Sequence, residues 1–182
     1  MHQYEKWQLF NNSGEPLEGE WRSAELGNPK EGEPPVGIAV VFLYRRSENG
    51  LEFLWQRRSE CVENSGLCDY SAGGHINIDE TTLAAAKREA HEEIGIELDE
   101  SELKFLTRIW SVNGRMLLNY YLVDWGERED IFKFDDKEVS EVRWIKYAEM
   151  EEFRKKFAKK AVVKNDALFK TLEQWLATHG YL

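Results

Sequence analysis

An α/β (α+β) fold, a mixed sheet held between helices, is the class this sequence predicts, on three observations. A continuous apolar run over residues 36–44 turns at Asn49-Gly50 into a second apolar segment, residues 51–56, which reads as a hairpin whose first strand is covered on both faces. A helical pattern with its own start and stop signals follows over residues 82–94. Two more helical patterns, about 147–157 and 166–179, close the chain, and the last aligns Leu168, Leu172, Trp175 and Leu176 on one side. That stripe is expected to pack on the sheet face opposite the 82–94 helix, giving an α/β/α sandwich.

The remaining elements fit around this frame. Residues 6–10 and 21–24 flank the turn-rich stretch 11–16, which predicts an N-terminal hairpin, and the Gly- and Pro-bearing stretch 27–35 reads as a linker. The expected division is therefore an extension over 1–35 and a core domain over 36–182. Residues 63–69 are expected as loop, leading into Ser71-Ala72-Gly73-Gly74-His75, also expected as loop, where paired glycines free the backbone to aim a carbonyl. Residues 103–111 and 115–125, joined at Asn113-Gly114, form a further hairpin. In 139–145, Val142 and Trp144 alternate with Glu141 and Arg143, so one face of that strand is buried. The seven tryptophans lie mostly at strand positions and are read as packing groups before base-stacking ones.

With 182 residues the chain is long enough for one sizeable core. Its 34 acidic and 24 basic residues leave a net charge of -10, which argues against a nucleic-acid polymer or an anionic membrane surface as partner. No apolar run reaches the length of a membrane span and the N-terminus has no signal-like apolar region, so the cytoplasm is the expected location. Cys61 and Cys68 are too few for a cysteine zinc site and are read as reduced thiols.

The functional signal is concentrated in the third element. Glu89, Glu92 and Glu93 stand at i, i+3 and i+4, so on a helix their carboxylates share a face. Like charges at that spacing repel, and a hard divalent cation with oxygen ligands reverses the sign. Thr81 or Thr82 can cap the helix start and Gly95 its end, while Leu83, Ala86, Ala90 and Ile94 form a docking stripe that leaves the carboxylates facing outward.

Those residues meet every fixed position of the box G-x5-E-x7-R-E-U-x-E-E-x-G-U, with U apolar: Gly74, Glu80, Arg88, Glu89, Ala90, Glu92, Glu93, Gly95 and Ile96. The chain therefore resembles the Nudix hydrolases. The resemblance implies a metal-dependent enzyme that cleaves a pyrophosphate linkage in a nucleoside diphosphate joined to another group, or in a related diphosphate. It implies Mg²⁺ as cofactor, with Mn²⁺ as alternative. Glu92 and Glu93 would be the principal ligands, Glu89 a ligand or general base, and the Gly73 carbonyl a further ligand. Arg88 would orient an acid, while Glu80 is either a partner of Arg88 or a ligand. Arg57 and Arg58 stand where the family often has a phosphate-contacting arginine. Glu138, in the run Asp135-Asp136-Lys137-Glu138, is the choice for an acid outside the box. The expected partner is a small-molecule diphosphate, with a homodimer left open.

No subfamily motif for NADH, ADP-ribose or dinucleoside polyphosphates follows the box. The N-terminal W-x-L-F-N-N-S-G-E-P-L and the phrase S-A-G-G-H-I are similar to the branch related to isopentenyl-diphosphate isomerase. The isomerase, however, carries a cysteine just before its Gly-His pair where this chain has Gly73, and the histidine at the start of its first core strand is absent here. Isomerisation is the runner-up reading. A nucleotide sensor without catalysis is the third.

Overall fold

Residues 6–22, 29–30, 32–111, 113–134 and 137–182 are described by the structure, a computed structural model. In chain order the strands are β1 (Lys6–Phe10), β2 (Pro16–Arg22), β3 (Val36–Ser47), β4 (Gly50–Arg58), β5 (Cys68–Asp69), β6 (Ala72–His75), β7 (Lys104–Trp110), β8 (Met116–Asp124) and β9 (Val139–Lys146). Helix α1 (Thr82–Ile94) follows β6, and α2 (Tyr147–Phe157), α3 (Lys160–Val163) and α4 (Asp166–Thr178) follow β9.

The apolar run predicted as a doubly covered strand is the axis of the molecule. β3 pairs in parallel with β8 from Val36↔Met116 to Tyr44↔Asp124, and antiparallel with β6 along one half and β4 along the other. β4 carries β5 and β9 antiparallel, and β7 adds to β8. One parallel pair among antiparallel ones makes the sheet mixed, as expected. Side chains alternate along β3, so it feeds two cores. Ala39, Val41 and Leu43 meet Ala85, Ala86, Ala90 and Ile94 of α1; Val40, Phe42 and Tyr44 meet Met150 of α2 and Leu168, Leu172 and Leu176 of α4. The acidic helix and the C-terminal helix thus cover opposite faces.

The predicted N-terminal hairpin exists with a different second strand. β2 starts at Pro16, directly after a turn in which Asn11 Oδ1 accepts the N–H groups of Ser13 and Glu15, both at 2.9 Å. Of the expected 21–24 strand, 21 and 22 belong to β2, whereas 23 and 24 lie outside the described residues, as do 27, 28 and 31 of the linker. The hairpin is packed onto the core: Gln8 N–H reaches Ile76 O at 2.8 Å, and the Phe10 ring occupies the space that a side chain at Gly37 would need.

Two expectations near the acidic helix are corrected. The stretch containing Gly73 and Gly74 is a strand rather than a loop, and neither glycine has a positive φ. Their small size matters instead, because a Cβ on Gly73 would sit 2.8 Å from Ala39 O in the neighbouring β3. The carboxylates also do not all face outward. Glu89 and Glu93 are 9% and 6% exposed, and only Glu92 points to solvent. The docking stripe is flanked directly by the acids, so seating the helix on β3 and β6 buries two of them.

Candidate active site

Helix α1 is held at both ends as its sequence suggests. Thr81 accepts from Ala84 N–H through its side chain at 3.1 Å, and Gly95 ends the helix at φ 69° with its N–H on His91 O at 2.9 Å. Alanines at 85, 86 and 90 contribute little height, so the backbone sits close to the sheet and carries its acids against β4 and β6.

Arg88 is the hub of the outer half. Its Nε and Nη2 form a two-pronged pair with Glu80 at 2.9 and 3.0 Å, Nη2 also donates to His75 O at 2.8 Å, and Nη1 donates to Glu89 Oε1 at 2.6 Å and Glu92 Oε2 at 2.9 Å. A planar guanidinium with five donors can serve so many acceptors; an ammonium cannot. Glu80 in turn accepts Asn77 N–H at 2.9 Å, which ties the strand-to-helix connection to the hub. Gly74 completes this half: a Cβ there would lie 2.3–2.5 Å from the three carboxyl atoms of Glu89. The box glycine is therefore the space the Glu89 carboxylate occupies.

Glu93 anchors the inner half. Its Oε2 accepts Gly73 N–H at 2.8 Å and Gln56 Nε2 at 2.9 Å. In the β3–β6 ladder, Ile76 N–H reaches Gly37 O, which makes 76, 74 and 72 the positions bonded to β3. Residues 73 and 75 then turn both N–H and C=O away from β3. His75 O on Arg88 and Gly73 N–H on Glu93 show this outward side, and the Gly73 carbonyl shares it.

The two predicted arginines separate because adjacent strand residues point to opposite faces. Arg58 shares the face of Gln56, with Nε on Glu63 O at 2.8 Å and Nη1 3.8 Å from Asp69 Oδ2. Arg57 turns the other way, toward Gly66 O and Glu141. Glu138 is exposed, and its charge acts on both Glu89 and Glu93; residues 135 and 136 lie outside the described set. Gln56, Asp69 and Lys159 went unnoticed in the sequence. Asp69, paired in register with Gln56, also takes the Lys159 ammonium, delivered by the segment between α2 and α3 through Lys159 N–H on Cys68 O at 3.0 Å. No local motif marks these three, since their meeting depends on long-range pairing.

Burial raises the Glu89 carboxyl to about 7, with Glu92 and Glu138 adding to the rise and Arg88 opposing it. Burial raises Glu93 to about 8; Glu89, Asp69 and Glu138 add, and the Gly73 N–H opposes. His75 moves the other way. Burial, then the charges of Arg88 and Lys159, push it down to about 3, and its ring lies flat on Trp7 with centroids 3.3 Å apart. Among the described residues no three His, Cys, Asp or Glu side chains close around a point as an ion cage. Arg88 stands between Glu89 and Glu92, and Glu93 Oε2 is engaged. The fit to a divalent cation lies in the donors themselves: two buried carboxylates, an exposed third and an outward carbonyl, all oxygen, with repulsion that a hard cation relieves.

The Nudix domain profile matches residues 33–165. This chain belongs to the Nudix family. An isopentenyl-diphosphate Delta-isomerase of Aliivibrio fischeri (strain MJ11) is 31% identical over 121 residues, which are 61% of this chain and 65% of the isomerase. Nudix hydrolase 3 of Arabidopsis thaliana is 30% identical over 120 residues, 60% of this chain and 16% of that protein. The NUDIX domain of Shewanella oneidensis NrtR, solved with ADP ribose, superposes with a TM-score of 0.62 at 16% identity, covering 86% of this chain and 99% of that one. Among the described residues no helix is long and apolar enough to cross a membrane.

Proposed function

We propose that this Nudix protein is a hydrolase that uses Mg²⁺, with Mn²⁺ as substitute, to cleave a diphosphate linkage in a nucleoside diphosphate derivative or related small molecule. The reading places residues 36–182 as the catalytic unit, 1–35 as an extension, and the site of action in the cytoplasm. The observation that carries it is the pair of buried carboxylates, Glu89 and Glu93, held on one helix by Arg88, Gln56 and Gly73. Glu92, Glu93, Glu89, Glu138 and the Gly73 carbonyl would hold the cation. When bound, it would neutralise the diphosphate and lower the pKa of water, the two obstacles to attack on a pyrophosphate.

The chain's own groups do the rest. Arg88 fixes Glu89 through Oε1, leaving Oε2 to take a proton from the attacking water. The bound cation and Arg88 would both hold Glu89 ionised, ready to accept that proton. Arg58, on the same face, is the phosphate contact, released from Asp69 when the substrate's charge arrives. The test is incubation with a panel of diphosphate compounds and Mg²⁺, following phosphate products. Glu93→Gln should lower turnover roughly 10²-fold or more, and full activity in that variant defeats the reading.

The isomerase relative favours a second reading, proton transfer on isopentenyl diphosphate. Against it, the space at Gly73 is filled: a Cβ meets Ala39 O at 2.8 Å and Val40 Cα at 3.2 Å, leaving no room for a thiol. His75 is covered by Trp7. Proton NMR of isopentenyl diphosphate incubated with the protein should show no dimethylallyl isomer; its accumulation at a catalytic rate would put the protein in the isomerase class.

A further inference from the structure

Gln56 is 2% exposed and meets α1 beside Glu93. Its Nε2 donates to Glu93 Oε2, the oxygen that also receives Gly73 N–H, so both protein donors converge on one carboxylate oxygen and Oε1 of Glu93 is left to other partners. Glu93 Oε2 is an acceptor, as the Gly73 N–H on it shows, so the amide turns its nitrogen toward Glu93. The other end of that amide is then stranded. Gln56 Oε1 is buried with no hydrogen-bond partner, in a fold where a buried acceptor is ordinarily satisfied. Its register neighbours cannot help: Val142 on β9 is apolar, and Asp69 on β5 is an acceptor engaged by Lys159 and Arg58. A buried oxygen beside an acidic helix face, held in place and unpaired, marks where a donor arrives with a ligand.

We propose that Gln56 is a positioning residue of the metal site. Its nitrogen pins Glu93 Oε2, presenting Oε1 to the divalent cation, and its own Oε1 accepts from water of that cation's hydration shell. The inference rests on the reading of α1 as a metal-binding face. Methionine at this position would keep the volume and the burial while losing both polar functions. A side chain that merely fills the core would be replaced by it without effect on metal.

The experiment uses the full chain and Mn²⁺ alone, with free Mn²⁺ read by electron paramagnetic resonance and the metal-free melting temperature read in parallel. Gln56→Met should raise the Mn²⁺ dissociation constant tenfold or more, with a metal-free melting temperature equal to or above that of the wild type. Wild-type affinity in Gln56→Met, with affinity lost in Glu93→Gln, overturns the role of Gln56 and leaves the metal reading standing. No Mn²⁺ binding by the wild type, or equal binding by Glu93→Gln, brings down the metal reading and this inference with it. A second measurement needs no variant. In wild-type protein the side-chain amide resonances of Gln56, assigned through its own side-chain carbons, should move on Mg²⁺ titration along the same saturation curve as the Glu93 carboxyl carbon. A stationary amide overturns the proposal.

Discussion

Substituting Glu93 by Gln should make the metal-free protein more stable at pH 8 and change it far less at pH 5. Glu93 titrates at about 8 in the folded chain, against an ordinary 4.5 once unfolded. The folded state therefore keeps a proton that the unfolded state releases, and stability falls as pH rises between those two values. Below about pH 4.5 both states are protonated and the site carries no penalty. Each pH unit of separation is worth about 1.4 kcal/mol, so by pH 8 the ionisable side chain costs on the order of 5 kcal/mol, an upper figure because Glu89 is part of its cause. In a chain of this size that corresponds to a melting temperature higher in the variant by roughly 10 °C or more. Glutamine keeps the shape of a protonated glutamate and never ionises, which makes the difference between the two proteins the clean observable. The assay is thermal unfolding in chelator at constant ionic strength, at half-unit steps from pH 4.5 to 8.5. Saturating Mg²⁺ should then narrow the difference, since a hundredfold excess over its dissociation constant adds about 2.7 kcal/mol to whichever protein binds it. A difference curve that stays flat across this range, or a wild type more stable than Glu93→Gln at pH 8 without metal, refutes the claim that a buried, repelled carboxylate stands at this position.

Other outcomes follow from single contacts. Gly74→Ala should displace the Glu89 carboxylate, whose atoms lie 2.3–2.5 Å from the new Cβ, and reduce turnover roughly 10²-fold in a folded protein, as read by steady-state kinetics beside circular dichroism. Gly95→Ala should lower stability by about 1–3 kcal/mol in denaturant titration, because φ of 69° is unfavourable for alanine and its Cβ would meet Lys133 O at 2.5 Å. Arg88→Lys should lower kcat with little change in charge, because one ammonium cannot span Glu80, Glu89, Glu92 and His75 O; equal kcat would show that charge alone matters there.

What the sequence determined by itself is what local periodicity and local sterics govern. The bounds of α1 were readable because Thr81 and Gly95 act within one turn of the helix they cap. The doubly covered β3 was readable because an apolar run of that length has no solvent face to offer. The family was readable because its box is contiguous, so spacing along the chain encodes geometry on the helix. The tertiary structure decided what depends on which surfaces meet. It alone buried Glu89 and Glu93, since their exposure is set by the tilt of α1 on β3 and β6 rather than by their own positions on the helix. It turned the glycine pair from loop into strand, where closeness to Ala39 and to Glu89 is what excludes a side chain. It separated Arg57 from Arg58 and brought Gln56, Asp69 and Lys159 to the acids from β4, β5 and the α2–α3 connection. Those three carry no signature, because hydrogen bonds across long loops leave no period in the chain.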